Sequence, residues 1–503
     1  MKHAARVLAA AALVVAATVA AAAQGPVRGD AASLKLKPSK GPPTTAVHAT
    51  GSGFAAGETV DLSFDLSEVA STTADGGGEI AATFSVPASA APGPHHVKAT
   101  GESSHVSARH TFTVQTDWPA QRYSATKTGS NPFENQIDTA NVDTVTSVWT
   151  SPNLGAPEDT SPVEVGGVVY VADHGTDVWA FDATTGAVEW HTVIPSFFCC
   201  NMSDLTVDKG VVFGSFSKEI WALSAATGAV LWHTCDYVAG TCEAESALGA
   251  PTVAGGRIFA GDENGNLYAF SESTGTVMWT AALSGDLFDA IETAPAVDTS
   301  SKTLYLQDDS NRFYAIKTSN GHVRWTGNRP TLPLPVGGFT GNVPTPALSD
   351  GTVFVASYVD GNLTAFAAGG CGAKKCDPLW TTSMHGSGGS SPAVADGMVY
   401  VGAQTPDRSS FSIMAVDAAT GAEVWNSGVV PLGSFSGEEG PTVENGIVYA
   451  GSANGAVYGF DATAGTQLWT ASLGGGASTP VVVNGHVYVG NGNGEELLAF
   501  ALP

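Results

Sequence analysis

From Trp149 onward the apolar positions come in short runs broken by polar turns. GVVYV (Gly167–Val171) is a continuous apolar run of strand length. A polar turn follows it, and then the eleven residues AFDATTGAVEW (Ala180–Trp190). That stretch reads as the end of one β-strand, a tight turn and the start of the next. Ala180 is small enough for a neighbouring layer to approach. Asp182 and Gly186 are turn formers, glycine because it takes positive φ without steric cost. Trp190 is a large apolar plug beside the turn. The pattern returns as ALSAATGAVLW (Ala222–Trp232), AFSESTGTVMW (Ala269–Trp279), AIKTSNGHVRW (Ala315–Trp325), AVDAATGAEVW (Ala415–Trp425) and GFDATAGTQLW (Gly459–Trp469). A swollen copy runs from Ala365 to Trp380. Eight tryptophans, at positions 149, 190, 232, 279, 325, 380, 425 and 469, stand 41 to 55 residues apart. A period in that range means a repeat architecture.

The unit A-x-D-x-x-T-G-x-x-x-W resembles the tryptophan-docking motif of the quinoprotein-type, or PQQ-like, β-propeller repeat. The resemblance runs from Trp118 to Pro503 and implies eight blades of four strands over residues 145–503. A lead-in over 116–144 resembles the one before the first blade of such propellers, through Trp118, Asn131, Glu134, Asn141 and Val142. The register adds a ring closure. The blade region starts with a lone Trp149 strand and stops on a third strand, Leu497–Ala501, that lacks a tryptophan. Val145–Thr150 is therefore expected to supply the fourth strand of the last blade and to protect its edge. Trp179, Trp221, Tyr268, Tyr314 and Tyr458 share the position before each motif alanine or glycine and are expected to pack between blades.

Residues 33–115 follow another rhythm. Short alternating runs such as Thr59–Phe64 and Ser107–Val114 are separated by Gly51-Ser52-Gly53, Gly76-Gly77-Gly78 and Pro92-Gly93-Pro94. Six or seven strands at such spacing predict a β-sandwich. GSGFAAGETVDLSF (Gly51–Phe64) resembles bacterial immunoglobulin-like domains of secreted proteins. The module has no Cys and no Trp, which excludes disulfide-pinned antibody-type packing. The fold class expected for the whole chain is all-β: an eight-bladed β-propeller preceded by a small immunoglobulin-like β-sandwich.

Lys2, His3 and Arg6 precede an Ala/Val run ending in Ala21-Ala22-Ala23, which reads as a secretory signal over 1–23 with a linker over 24–32. No other stretch is apolar and long enough for a span. The formal charge of −26 becomes −28 once Lys2 and Arg6 leave with the signal. Such a surface repels nucleic acid and anionic lipid.

Six cysteines in an exported chain suggest three disulfides. Cys371 and Cys376 are expected to pair locally. For the other four, two solutions remain: Cys199–Cys200 with Cys235–Cys242, or two crossed bridges; a four-cysteine zinc site is the third option. The resemblance makes Cys199 and Cys200 the one candidate cofactor-binding pair, because quinoprotein alcohol dehydrogenases carry a vicinal disulfide against their quinone. Glu243 or Glu245 would then supply a calcium carboxylate, and Asp286 or Asp289 a base. The tryptophan count opposes this. Eight of eleven hold blade positions, Trp179 and Trp221 precede motif alanines, and Trp118 lies in the lead-in. Asp262-Glu263-Asn264-Gly265-Asn266 and Asp308-Asp309 suit Ca²⁺, but a turn needs no metal there. No catalytic or metal-ligating set emerges. The expected function is non-catalytic binding or scaffolding at the cell exterior, by a monomer meeting a protein or envelope partner. The alternative is a quinoprotein-type oxidoreductase using pyrroloquinoline quinone and calcium.

Overall fold

The computed structural model describes residues 31–503 except 156–159, 174, 195–202, 237–240, 243–245, 284–289, 331–342, 358–359, 406–409, 429–439 and 493–494. The signal reading over residues 1–23 lies outside the described residues. The chain divides into two units, the first built from the described residues up to Ser39, Ala46–Ser85 and His95–Phe112, the second from Lys40–Thr45, Val86–Pro94 and Thr113–Pro503.

The first unit is two antiparallel layers. Ala46–Ser52 lies between Ser33–Lys37 and Ile80–Ser85. In the other layer the order is Ser107–Val114, Gly93–Gly101, Thr59–Phe64, Ser67–Thr73. Leu34, Leu36, Val47, Ala49, Val60, Leu62 and Phe64 alternate with exposed or half-buried neighbours, so each layer buries one face. Ser67–Thr73 (SEVASTT) escaped the sequence reading because it is polar on both faces, as an edge strand can be.

In the second unit the described residues form eight sheets built on four antiparallel strands, two of them carrying a fifth strand. The sheets are numbered here by their first strands: Val163–Val165, Thr206–Asp208, Thr252–Ala254, Ala296–Asp298, Ala347–Ser349, Ala393–Ala395, Thr442–Glu444 and Val481–Val483. First strands of successive sheets are neighbours, which puts them innermost. Second strands such as Val168–Ala172 are buried on both faces, whereas fourth strands such as Val188–Val193 alternate as half-covered edges.

The repeated motif explains itself. Asp182 Oδ1 accepts from the backbone N–H of Thr184 and Thr185 and from Thr185 Oγ1, which sets the turn. Ala180 pairs with Trp190 across the ladder, and the same pairing recurs as Ala222–Trp232, Ala269–Trp279, Ala315–Trp325, Ala365–Trp380, Ala415–Trp425, Gly459–Trp469 and Ala499–Trp149. A small residue there leaves room for the indole. The indole then seats on the next sheet. Gly186 (φ 68°) lies under Trp149, Gly228 under Trp190 and Gly275 under Trp232. A methyl group on any of these glycines would come within 2.7 Å of the ring. So seven of the eight tryptophans dock against the turn of the following sheet and not against their own. Indole N–H groups complete the seat, Trp190 Nε1 donating to Ala225 O at 2.8 Å and Trp425 Nε1 to Ala462 O at 2.8 Å.

Closure follows the expected register. Thr146–Thr150 pairs with Glu496–Ala501 as the fourth strand of sheet 8. Trp469 Nε1 reaches back to Val145 O at 3.1 Å. The swollen turn of sheet 5 holds the Cys371–Cys376 disulfide. Its Lys375–Cys376 pair runs parallel to Thr326–Gly327 and covers the edge of sheet 4.

Candidate functional site

The lead-in segment, residues 116–144, lies on the inner strands. Trp118 forms a bridge with Glu164 of sheet 1, and Ala120 with Thr206 of sheet 2. Ala125, Thr126, Thr128 and Gly129 then accept, through their carbonyls, the N–H groups of Val297, Leu348, Val394 and Val443, in sheets 4, 5, 6 and 7. Asn131 Nδ2 donates to Val482 O of sheet 8 at 3.4 Å. One short segment thus ties seven of the eight inner strands together. Its path needs unusual backbone: Arg122, Tyr123 and Lys127 have φ of 58°, 77° and 59°. Such conformations persist where surrounding structure over-determines them, and they concentrate at functional sites.

Arg122 leaves the sheet 2 side of the ring and reaches the opposite side. Nη1 donates to Pro441 O at 2.8 Å and Nη2 to Pro392 O at 2.8 Å. It passes so close to Gly129 that a methyl group there would lie 2.4 Å from Nη2. Lys127 comes back from between sheets 5 and 6, and its Nζ donates to Gln121 O at 3.3 Å. Gln121 Nε2 donates to Asp204 Oδ2, and Asp204 Oδ1 accepts from Ser161 N at 2.6 Å. Burial dominates the electrostatics of this hub. It pushes Arg122 down to about 9 against the pull of Asp204. It pushes Lys127 down to about 7, with Asp204 opposing and Arg122 adding to the fall. It pushes Asp204 up to about 6, against the Ser161 N–H and the Lys127 charge. At the rim, burial holds the Glu164 carboxyl up at about 8 despite the N–H of Gly167.

Outside the hub, a groove of about 490 Å³ runs between the lead-in and the turns of sheets 6 and 7. Tyr123, Thr126, Thr128, Glu134, Asp396 and Asn445 line it.

The sequence candidates fall in different places. Cys199, Cys200, Glu243, Glu245, Asp286 and Asp289 lie outside the described residues. Cys235 is disulfide-bonded and stands across a two-strand ladder from Cys242. Asp262 is turned inward: it accepts from the N–H of Asn264 and Asn266, from Asn266 Nδ2 and from Tyr268 Oη. Asp308 does the same with Arg312 N and Tyr314 Oη. Both carboxylates are used as turn staples. Among the described residues no group of three or more His, Cys, Asp or Glu could hold a metal ion. Asn131 and Glu134 of the lead-in motif are buried and structural: Asn131 N donates to Glu444 Oε1, and Glu134 Oε2 accepts from Gly485 N. Arg122, Lys127, Gln121 and Asp204 were missed by sequence reasoning. The available signal was two basic residues close together in a chain that has only 21.

Fold and motif together define a PQQ-like β-propeller. Residues 134–239, 217–370 and 409–502 match the sequence family described as outer membrane protein assembly factor BamB, and the chain belongs to that family. No curated protein matches the sequence. Among solved structures, BamB from Moraxella catarrhalis is similar at 18% identity and a TM-score of 0.56, over 71% of this chain and 99% of that one. The quinohemoprotein alcohol dehydrogenase from Comamonas testosteroni is similar at 17% identity and a TM-score of 0.61, over 77% and 80%. A europium-containing methanol dehydrogenase gives 17% and 0.59, over 77% and 98%. At these identities the likeness carries the fold.

A quinone would need an aromatic floor, a bound cation and cationic donors. Eight tryptophans belong to the ring of sheets. Trp118 and Trp221 are fully buried, and Trp179 stacks on His191 with centroids 3.7 Å apart. Of the arginines, Arg324 is exposed and donates to Ser301 O, Arg312 lies 3.8 Å from Asp308, and Arg257 opens a second strand. Arg329 is buried and donates to Gln307 Oε1 at 2.8 Å. Among the described residues these tryptophans are committed to packing, and Arg324 and Arg329 to hydrogen bonds within the chain.

Proposed function

We propose that this protein is a non-catalytic binding scaffold of the cell envelope, exported and working by contact with a protein partner. The observation that carries the reading is the hub. The chain's own lead-in occupies the middle of the ring, and Arg122 and Lys127 extend across it. The inner strands and the lead-in are committed to one another by these hydrogen bonds, which suits a rigid scaffold. Membership of the BamB-described family supports the same reading, since that description concerns outer-membrane protein assembly. The negative surface, −26 over the whole chain, suits a partner with a basic face. The groove over Thr126 and Thr128 offers hydroxyls, carboxylates and a tyrosine to such a face.

The test is a photo-crosslinking amino acid at Thr128, in the producing cell. The expected result is one discrete adduct with an envelope protein, absent when the crosslinker is moved to Thr192 on the opposite strand type. A smear or no adduct at Thr128, with normal protein level, contradicts the reading.

A further inference from the structure

The hub contains more donors than acceptors. Lys127 is fully buried, and its ammonium has three N–H donors but, among the described residues, one acceptor, Gln121 O at 3.3 Å. Arg122 is also buried, and its Nε has no acceptor among the described residues. Asp204 is the counter-charge within reach of both, and its oxygens are already engaged by Ser161 N and Gln121 Nε2. Counted as ionised, the described residues of this hub carry two positive groups against one negative, and without a further counter-charge burial drives Lys127 toward its neutral form. Leaving a cationic group buried without a partner is unfavourable, and buried charges in proteins are paired or bind ions.

From this we infer that the centre of the propeller is a binding site for a compact monovalent anion, held by Lys127 Nζ. An anion supplies the missing acceptor and brings the hub to charge balance. It would also act as a structural ligand, because the site exists only when the lead-in is seated on the inner strands. A ligand that binds the folded chain alone stabilises it by mass action. The inference goes beyond the scaffold reading and does not depend on it.

Bromide is the probe. Crystals grown with bromide replacing chloride should show an anomalous peak at hydrogen-bonding distance from Lys127 Nζ. In solution, unfolding is followed at fixed ionic strength while bromide replaces a bulky organic anion. With a dissociation constant on the order of 10 mM, raising bromide from 10 to 500 mM lowers the unfolding constant roughly 25-fold. Lys127→Met should lose that dependence, and in bromide-free buffer it should be at least as stable as the parent. Lys127→Arg, which keeps the charge, should retain the dependence. A water or nothing at Lys127 in the bromide crystals overturns the inference, as does equal bromide dependence in Lys127→Met. Should Lys127→Met not fold, the crystal result and the Lys127→Arg titration decide.

Discussion

Trp149→Ala should destabilise the propeller by about 3–5 kcal/mol, the usual cost of removing a buried large aromatic. Trp149 belongs to the strand that closes the ring. It pairs with Ala499 near the end of the chain, and its Nε1 donates to Ala183 O of sheet 1 at 3.0 Å. Its ring lies over Gly186 and between Phe181 and Tyr488, with centroids 6.3 and 5.9 Å away. One side chain therefore joins sheet 8 to sheet 1. Trp190→Ala is the comparison, because Trp190 makes the same seat at a junction the chain already crosses and stays half-buried. Its loss should be smaller. Urea unfolding of both variants checks this. A change below about 1 kcal/mol for Trp149→Ala would contradict the closure.

Arg122→Met should cost about 2–5 kcal/mol, although methionine fills much of the same space. The carbonyls of Pro441 and Pro392 are buried under the guanidinium and would lose their donors. Unsatisfied buried carbonyls cost about 1–3 kcal/mol each. The effect is also a test of what the lead-in does. If its role is to bind the inner strands into one ring, the variant should show faster amide exchange at Val394 and Val443, whose N–H groups donate to Thr128 and Gly129. Unchanged exchange there, with unchanged urea stability, would make the lead-in a passive tail.

The parts legible in sequence are those held by near neighbours. The Asp182–Thr185–Gly186 turn, the Ala180–Trp190 pair and the Cys371–Cys376 bridge all lie within a few residues and leave a repeating signature. Closure by Thr146–Thr150 was legible because the repeat has a lone strand at its start and lacks one at its end. The direction of docking was not. Trp232 beside Gly228 in the chain suggests a local seat, yet Trp232 lies over Gly275. A local motif cannot say which of two identical turns an indole meets. The hub was not legible either. Arg122 meets Pro441 and Pro392 across 319 and 270 residues, and neither end has a periodic pattern. Asp262 and Asp308 suit a calcium loop and a turn staple alike, because the two share the same residues, and the turn expected from the sequence is the one formed.

The most direct measurement on the scaffold reading is titration calorimetry of the full protein with pyrroloquinoline quinone in excess Ca²⁺, followed by a dye-linked alcohol oxidation assay. The account predicts no binding tighter than about 1 μM and no oxidation above the protein-free rate. Dissociation below about 1 μM, worth roughly 8 kcal/mol, together with turnover of alcohol, would contradict it and make the protein a quinone-dependent dehydrogenase.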